Sequence, residues 1–328
     1  MTAHTSRHHF VAGAIAVALA LPLIPVLPAH AEDWPSKPIH FIVPFTAGGA
    51  NDLMARAAAE GVGKALGQQV VVENKPGAGA MLGTGYAAKA APDGYTFLIS
   101  SAGVVSNTMI HANAPYKDAD LVPVAMIGLA PSVIVAPPNA PYKDLKEFVA
   151  ASQKGQGLHF ATAGSGSTPH FVEGLLTSKY GAKLDVVPYK SGSESITAVL
   201  GGQVDATSEA SIVVLPYIQA GKLKPLADAW STRISAYPQL STAVEQGFPE
   251  IRIAHWAGVH APAGTPPAIM DKMAAAVDTA MKVPATADRL KAVGIEPVGG
   301  TRAAFSKFID EERARLGSVV KATNMKGD

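Results

Sequence analysis

Ser165 and Ser167 stand on either side of Gly166, directly after the apolar run from Leu158 to Thr162. Hydroxyls beside glycines at the end of a strand suit one kind of chemistry, the holding of an anion. The first N–H groups of a helix lack intrahelical partners and carry the positive end of its dipole, so a strand, a glycine turn and a helix in that order make a ready anion site. The same order occurs in Ile39-His40-Phe41-Ile42-Val43-Pro44-Phe45, which runs into Thr46-Ala47-Gly48-Gly49-Ala50-Asn51-Asp52. It returns in Val186-Val187-Pro188-Tyr189-Lys190-Ser191-Gly192-Ser193-Glu194, and Pro76-Gly77-Ala78-Gly79 is a fourth turn after a strand. Glycine lets the backbone approach a ligand closely at each.

Each turn also has a plainer reading as an ordinary capped turn. Thr168 is the expected N-cap of the helix after Ser167, with Pro169 at the first helical position. Ser191 and Glu194 have capping-box spacing, which gives Glu194 a structural role. Lys190 either attracts an anion or is simply solvated. Asp52 would compete with a bound anion for its helix dipole, so it is expected to cap the helix or to reach a ligand through water. His170 is a candidate cap or ligand contact.

Catalytic chemistry finds little support. G-x-S-x-G does not occur, and Gly164-Ser165-Gly166 is out of register for it. There is no cysteine, hence no thiol nucleophile, disulfide framework or lipid-modified cysteine anchor. Gly83-x-Gly85-x-x-Ala88 fits a dinucleotide fingerprint only superficially, because no strand immediately precedes it. The histidines at 40, 111, 159, 170, 255 and 260 lack metal-ligand spacing, so neither a metal nor a cofactor is expected.

The elements that must position these turns read as α/β. Short apolar runs are expected as strands at Phe41 to Phe45, Val70 to Glu73, Thr96 to Ser100, Val122 to Gly128, Ser132 to Ala136, Leu158 to Thr162, Asp185 to Pro188, Val204 to Ser208, Pro225 to Ala229 and Ile251 to Val259. Helical periodicity lies between them, as in Met54, Ala58, Val62 and Ala65, and in Phe305, Phe308, Ile309 and Leu316. Only Leu129-Ala130-Pro131 separates the two central strands. That link is too short for a helical crossover and is expected to pass the chain from one lobe to another, with a return near Trp230. The division expected is 32–130 with 231–328 as lobe 1 and 131–230 as lobe 2. Ligands of open α/β sheets collect at the carboxyl ends of strands, so two facing lobes make a cleft.

Residues 1–31 read as an export signal: basic Arg7, an apolar stretch from Phe10 to Leu27, and small Ala29 and Ala31 before a cleavage point. A membrane anchor is the competing reading, but Pro22, Pro25 and Pro28 interrupt the apolar run. Without Arg7, the 27 Lys and Arg become 26, equal to the 26 Asp and Glu. That balance leaves no basic stripe for nucleic acid, and a mature length near three hundred residues points to two domains.

Taken in order, the motifs resemble those of the periplasmic solute-binding proteins of tripartite tricarboxylate transporters, the Bug family. The resemblance runs through Trp34-Pro35-Ser36-Lys37-Pro38-Ile39, Val43-Pro44-Phe45 with Gly48-Gly49 and Asp52, and Val72-Glu73-Asn74-Lys75-Pro76-Gly77-Ala78-Gly79. It continues in Ala91-Pro92-Asp93-Gly94-Tyr95, Gly164 to Ser167 with His170, Val187-Pro188-Tyr189-Lys190, Gly201-Gly202-Gln203-Val204-Asp205, Ala261-Pro262-Ala263-Gly264-Thr265-Pro266 and Glu296-Pro297-Val298-Gly299-Gly300. The resemblance implies a two-lobed periplasmic binding protein of the Venus-flytrap, type II-like kind, each lobe a mostly parallel sheet flanked by helices. It implies a protein that passes a small organic carboxylate to integral-membrane permease subunits, without catalysis, and nothing in the sequence requires more than a monomer; a ligand-reporting partner of a membrane sensor is the alternative, and a secreted hydrolase a remoter one.

One wall of the cleft would then be Phe45, Thr46, Ala47, Gly48, Gly49, Asn51, Asp52, Gly77, Ala78, Ser100 and Ser101. The other would be Ser165, Ser167, Thr168, His170, Tyr189, Ser191 and Glu209. Four positions depart from the family pattern: Ala47 replaces a usual proline, Ser191 a common glycine, and Ser208-Glu209 an aromatic followed by an aspartate. Glu209 either caps the next helix or accepts a hydrogen bond from a ligand amine, hydroxyl or protonated acid. His255 and Trp256 edge the cleft or, for Trp256, belong to the core.

Overall fold

The computed structural model describes residues 1–2 and 33–327, so the export signal expected over residues 1–31 lies almost wholly outside the described residues. In chain order the elements are β1 (Ile39–Val43), α1 (Ala50–Leu66), β2 (Val70–Asn74), α2 (Met81–Ala88), β3 (Thr96–Ser100), α3 (Ala102–Ile110) and β4 (Leu121–Ala136). Next come α4 (Leu145–Ser152), β5 (Leu158–Thr162), α5 (Thr168–Tyr180), β6 (Leu184–Pro188), α6 (Gly192–Leu200), β7 (Ala206–Ala210), α7 (Ser211–Gln219) and β8 (Lys224–Asp228). The chain closes with β9 (Ala254–Pro262), α8 (Pro267–Lys282), α9 (Pro284–Ala292), β10 (Glu296–Gly299) and α10 (Arg302–Thr323). Among the described residues no helix is long and apolar enough to cross a membrane.

The strands order as β2-β1-β3-β9-β4-β7-β5-β6, with β10 and β8 also paired to β4. Each half contains a parallel triplet, β2-β1-β3 in one and β7-β5-β6 in the other. Every pairing of β4 and β9 is antiparallel, so the sheet is mixed rather than mostly parallel. The two central strands expected from sequence are one, β4. Leu121 to Pro131 pairs with β9, and from Ser132 onward the same strand pairs with β7 and β8. Pro131 sits where the partner changes, a place where a missing N–H costs little.

Beyond Trp230 the chain stays beside β8 and α4. The Ile253 N–H donates to Ala229 O and the Ser132 N–H to Ile253 O, while the Leu145 N–H donates to Gln246 Oε1 and Gln246 Nε2 to Leu226 O. The segment 230–253 therefore folds back onto β8 and α4, and the chain rejoins the first half at Ala254.

Three apolar clusters hold these layers. Phe41, Met54, Val259 and Val277 lie between the first half-sheet and α1 with α8. Val133, Ile196, Val214 and Ile218 lie beneath α6 and α7. The third runs through both halves, joining Leu98, Val105, Phe160, Phe171, Trp256, Phe305 and Val319. Helix α10 spans that seam: Phe305 packs edge-on against Trp256, and a Cβ on Gly174 of α5 would lie 3.1 Å from Val319.

Candidate functional site

The first junction is built around Asp52. Its carboxylate accepts from the Gly48 N–H, from Arg56 Nε and from Asn74 Nδ2, each at 2.9 Å, and Asn74 Nδ2 also donates to Phe45 O. Burial alone would raise this carboxyl, but the bonds from Arg56, Gly48 and Asn74, together with the Arg56 charge, hold it below its ordinary value. Asp52 thus fastens the loop. Thr46, Ala47 and Gly48 are exposed on it, Phe45 and Gly49 half-buried. Gly49, which has no side chain to offer, is the N-cap of α1. Buried Asn51 donates to Ser100 O and Trp256 O, and Ser100 Oγ donates to Gly258 O and lies 2.7 Å from His260 Nδ1. Asn51 and Ser100 consequently tie the start of α1 to β3 and β9. Ser101 is the N-cap of α3, accepting from the Gly103 N–H.

The fourth turn carries positive φ at Gly77, Ala78, Gly79 and Ala80 in succession. For the two alanines this is a disfavoured conformation that the surroundings must impose. One such restraint is Asn107 on α3, whose Nδ2 donates to Gly79 O at 2.8 Å. The same helix reaches the other half, because Ser106 Oγ donates to Gly166 O at 3.2 Å. A Cβ on Gly166 would meet Ile110 Cδ1 at 2.5 Å, and one on Gly79 would lie 3.9 Å from Ser165 O. The turn after β2 and the turn after β5 therefore meet on α3.

In that second turn Ser167, not Thr168, is the N-cap of α5, and its Oγ donates back to Gly164 O at 2.6 Å. The Gly166 N–H donates to His170 Nδ1, so His170 clasps the turn. Ser165, Ser167, Thr168 and His170 are all half-buried. The neighbouring third turn is tied by the Tyr189 N–H and by Ser195 Oγ, both donating to Thr162 O. Ser191 caps α6 by accepting from the Glu194 N–H, and Glu194 Oε2 accepts from the Lys190 N–H. This bears out the structural reading of Glu194.

Glu209 does not simply cap α7. It lies one residue before the end of β7, 5 % exposed, and its carboxyl faces the start of α6. A Cβ on Gly192 would stand 2.4 Å from Oε1. Oε1 is buried without a hydrogen-bond partner, as is Thr162 Oγ1 on the adjacent strand. Burial pushes the Glu209 carboxyl up to about 8, opposed only by the Ala210 N–H. On the opposite sheet face Ser132 Oγ lies 2.6 Å from Ser208 Oγ and 3.4 Å from His255 Nε2. Desolvation pulls His255 down to about 4, which keeps it neutral. Trp256 is core: it is 1 % exposed, and its Nε1 donates to Glu312 Oε2.

Sequence reasoning missed Ser106, Asn107, Arg56 and Asn74, which hold the turns rather than line them. Only Asn74, two residues before Pro76 within a recognised motif, carried any local signal. A separate cavity of about 230 Å³ lies between α3 and α10, lined in part by Tyr116, Asp118, His260 and Arg313. It is not formed by the four turns.

A curled mixed sheet with helices, arranged as two lobes, is the fold of periplasmic binding proteins. The chain belongs to the tripartite tricarboxylate transporter receptor family, whose model matches residues 54–325. BugT of Bordetella pertussis is 37 % identical over 303 residues, 91 % of this chain and 93 % of that protein. A protein of R. palustris solved with adipate superposes with a TM-score of 0.84 at 28 % identity, covering 90 % of this chain and 100 % of that one. MatC of Rhodopseudomonas palustris with bound malate gives 0.80 at 30 % identity, covering 88 % and 100 %. The family is one of solute-binding receptors in transport, and its members are periplasmic binding proteins.

Proposed function

We propose that this protein captures a small organic carboxylate between its two lobes and delivers it to the membrane permease of a tripartite tricarboxylate-type transporter. The observation that carries this reading is the clasp on α3, where Asn107 holds the turn after β2 and Ser106 the turn after β5. It brings glycine-bearing turns from both halves to one place, where they could hold an anion together. Relatives near 30 % identity hold adipate and malate, both small diacids, which favours a dicarboxylate here. On this reading the chain is exported, is cleaved near Ala31 and acts as a monomer.

The ligand-contacting groups are the backbone of the Thr46 to Gly49 loop, apart from the Gly48 N–H that Asp52 holds, and that of Gly77 and Ala78 on one side. On the other they are Ser165, Ser167, Thr168, Tyr189, Ser191 and Glu209. We place the lobe boundaries at Pro131 and Ile253, following the hydrogen bonds of the segment 230–253 and the partner change along β4.

A thermal-shift panel of C4 to C6 diacids, citrate, acidic amino acids and benzene dicarboxylates tests the proposal. Ligand at a hundred times its Kd adds about 2.7 kcal/mol of stability, a clear rise in melting temperature. No shift with any compound would refute it. The ligand should be recovered unchanged after incubation, since no turnover is involved.

A further inference from the structure

Glu209 is a buried acid whose position the fold has gone out of its way to accommodate. It stands at the carboxyl end of β7, the end at which open α/β sheets place their ligands, beside the ends of β5 and β6. Gly192 opens α6, a helix of nine residues, and any side chain there would strike the Glu209 carboxyl at 2.4 to 2.6 Å. The carboxyl therefore fills the space in front of a helix start, and its Oε1 has no partner although it is buried. A buried polar oxygen left unpaired costs free energy unless something completes it.

We infer that Glu209 is the specificity-determining residue of the cleft, its carboxylic O–H donating a hydrogen bond to the second carboxylate of a captured diacid. The inference rests on the carboxylate-capture reading above and deepens it.

Burial keeps the proton on Glu209 at neutral pH, with no neighbouring charge contributing. From α6, Glu194 is turned back to the Lys190 N–H. From β4 the cross-strand neighbour is Val133, and beyond it on β8 stands Asp228, itself pushed up to about 7 by burial. Helix α7 begins with Ser211, whose hydroxyl donates to Gly294 O. β5 pairs with β7 at Phe160 opposite Ala206 and Ala161 opposite Thr207, and neither these residues nor Thr162 beyond them is charged. A second carboxylate brought to this point meets a donor, and the O–H···O⁻ bond that results is of the strong, charge-assisted kind. Once Glu209 is ionised the same approach sets two anions together, so binding then requires one proton from solvent.

Calorimetric titration of the wild type, E209Q and E209A with straight-chain C4 to C6 diacids, and with monoacids of the same lengths, decides the matter between pH 6.5 and 9.5. Wild-type affinity for a diacid should hold to about pH 8 and then fall about tenfold per pH unit, with one proton taken up per ligand, while monoacid affinity stays level. E209Q, which keeps a donor, should bind the diacid with no pH dependence and no proton uptake. E209A should lose at least tenfold in diacid affinity and nothing for monoacids. A level wild-type profile without proton uptake, or unaltered diacid affinity in E209A, overturns the inference while leaving carboxylate capture intact. Binding of no compound at all overturns both. If the variants do not fold, proton uptake by the wild type decides alone.

Discussion

Asp52 and Glu209 are carboxyls at strand-to-helix junctions in the two halves of the sheet, and their surroundings treat them in opposite ways. Asp52 is given every partner it can use: Gly48, Arg56 and Asn74 surround it, and its carboxyl is held ionised. Glu209 is given one backbone N–H and a glycine to lean on, and burial keeps it protonated. A carboxyl with all its partners inside the protein is scaffold. One left short of partners remains able to bond to something else. Acidic residues at such junctions are therefore sorted by their neighbours rather than by their place in the chain.

The contrast is sharpest in the pH dependence of stability. Glu209 titrates near 4.5 when unfolded and near 8 in the fold, so between those values the folded protein keeps a proton that the unfolded chain has released. Stability from this group is complete below the lower value and is lost as pH rises toward the upper one, by about 1.4 kcal/mol per pH unit. E209Q removes the decline, so its advantage over the wild type in urea unfolding should grow from pH 5 to pH 8, reaching at most about 4 kcal/mol. An advantage that does not change with pH would end the contrast with Asp52. The decline due to Asp228 should persist in E209Q, because that group lies beyond Val133 and titrates on its own.

Removing the partnered acid should act differently. D52A leaves the Gly48 N–H, Arg56 and Asn74 without their shared acceptor and should cost about 3 kcal/mol at neutral pH, together with ligand affinity as the loop loosens. Urea unfolding and the carboxylate panel measure the two effects. G192A should cost about 2 kcal/mol through collision with the Glu209 carboxyl, and the loss should largely vanish in G192A/E209A, a non-additivity that a double-mutant cycle reads directly. Additive costs would mean that the two residues do not share the space. The smallest effect expected is that of N107A, about 1 kcal/mol for one hydrogen bond, with weaker ligand binding because the clasp on the turn after β2 is released.

What sequence could reveal followed from how local each feature is. A helix cap is settled within three residues, so Ser191 with Glu194 was legible, and the cap at Ser167 was misplaced by one residue because Thr168 and Pro169 offer an equally good local pattern. The glycine turns after β1, β2, β5 and β6 were legible for the same reason. The single strand β4 was not. Leu129-Ala130-Pro131 reads as a break between two strands, yet in the fold Pro131 sits at the change of partner, while Pro123 lies at an irregularity in the β9 pairing and Gly128 opposite β10. A Cβ on Gly128 would lie 2.7 Å from Glu296 O, so that glycine makes room for a neighbour 168 positions away. Strand β10, four residues including Pro297, exists only through that pairing and carries no pattern of its own. Likewise the meeting of Gly192 with Glu209, and of Ser106 with Gly166, is made by the fold across intervening strands, and local spacing does not record it.

No flexible linker joins the halves at β4, which runs hydrogen-bonded from one into the other. A change in the angle between them must then be spread as torsion over the ribbon of β4 and β9, and as shear of α10 across α5 at Gly174. If the halves turn against each other around cargo, as the proposed capture requires, that ribbon and that helix seam must deform together.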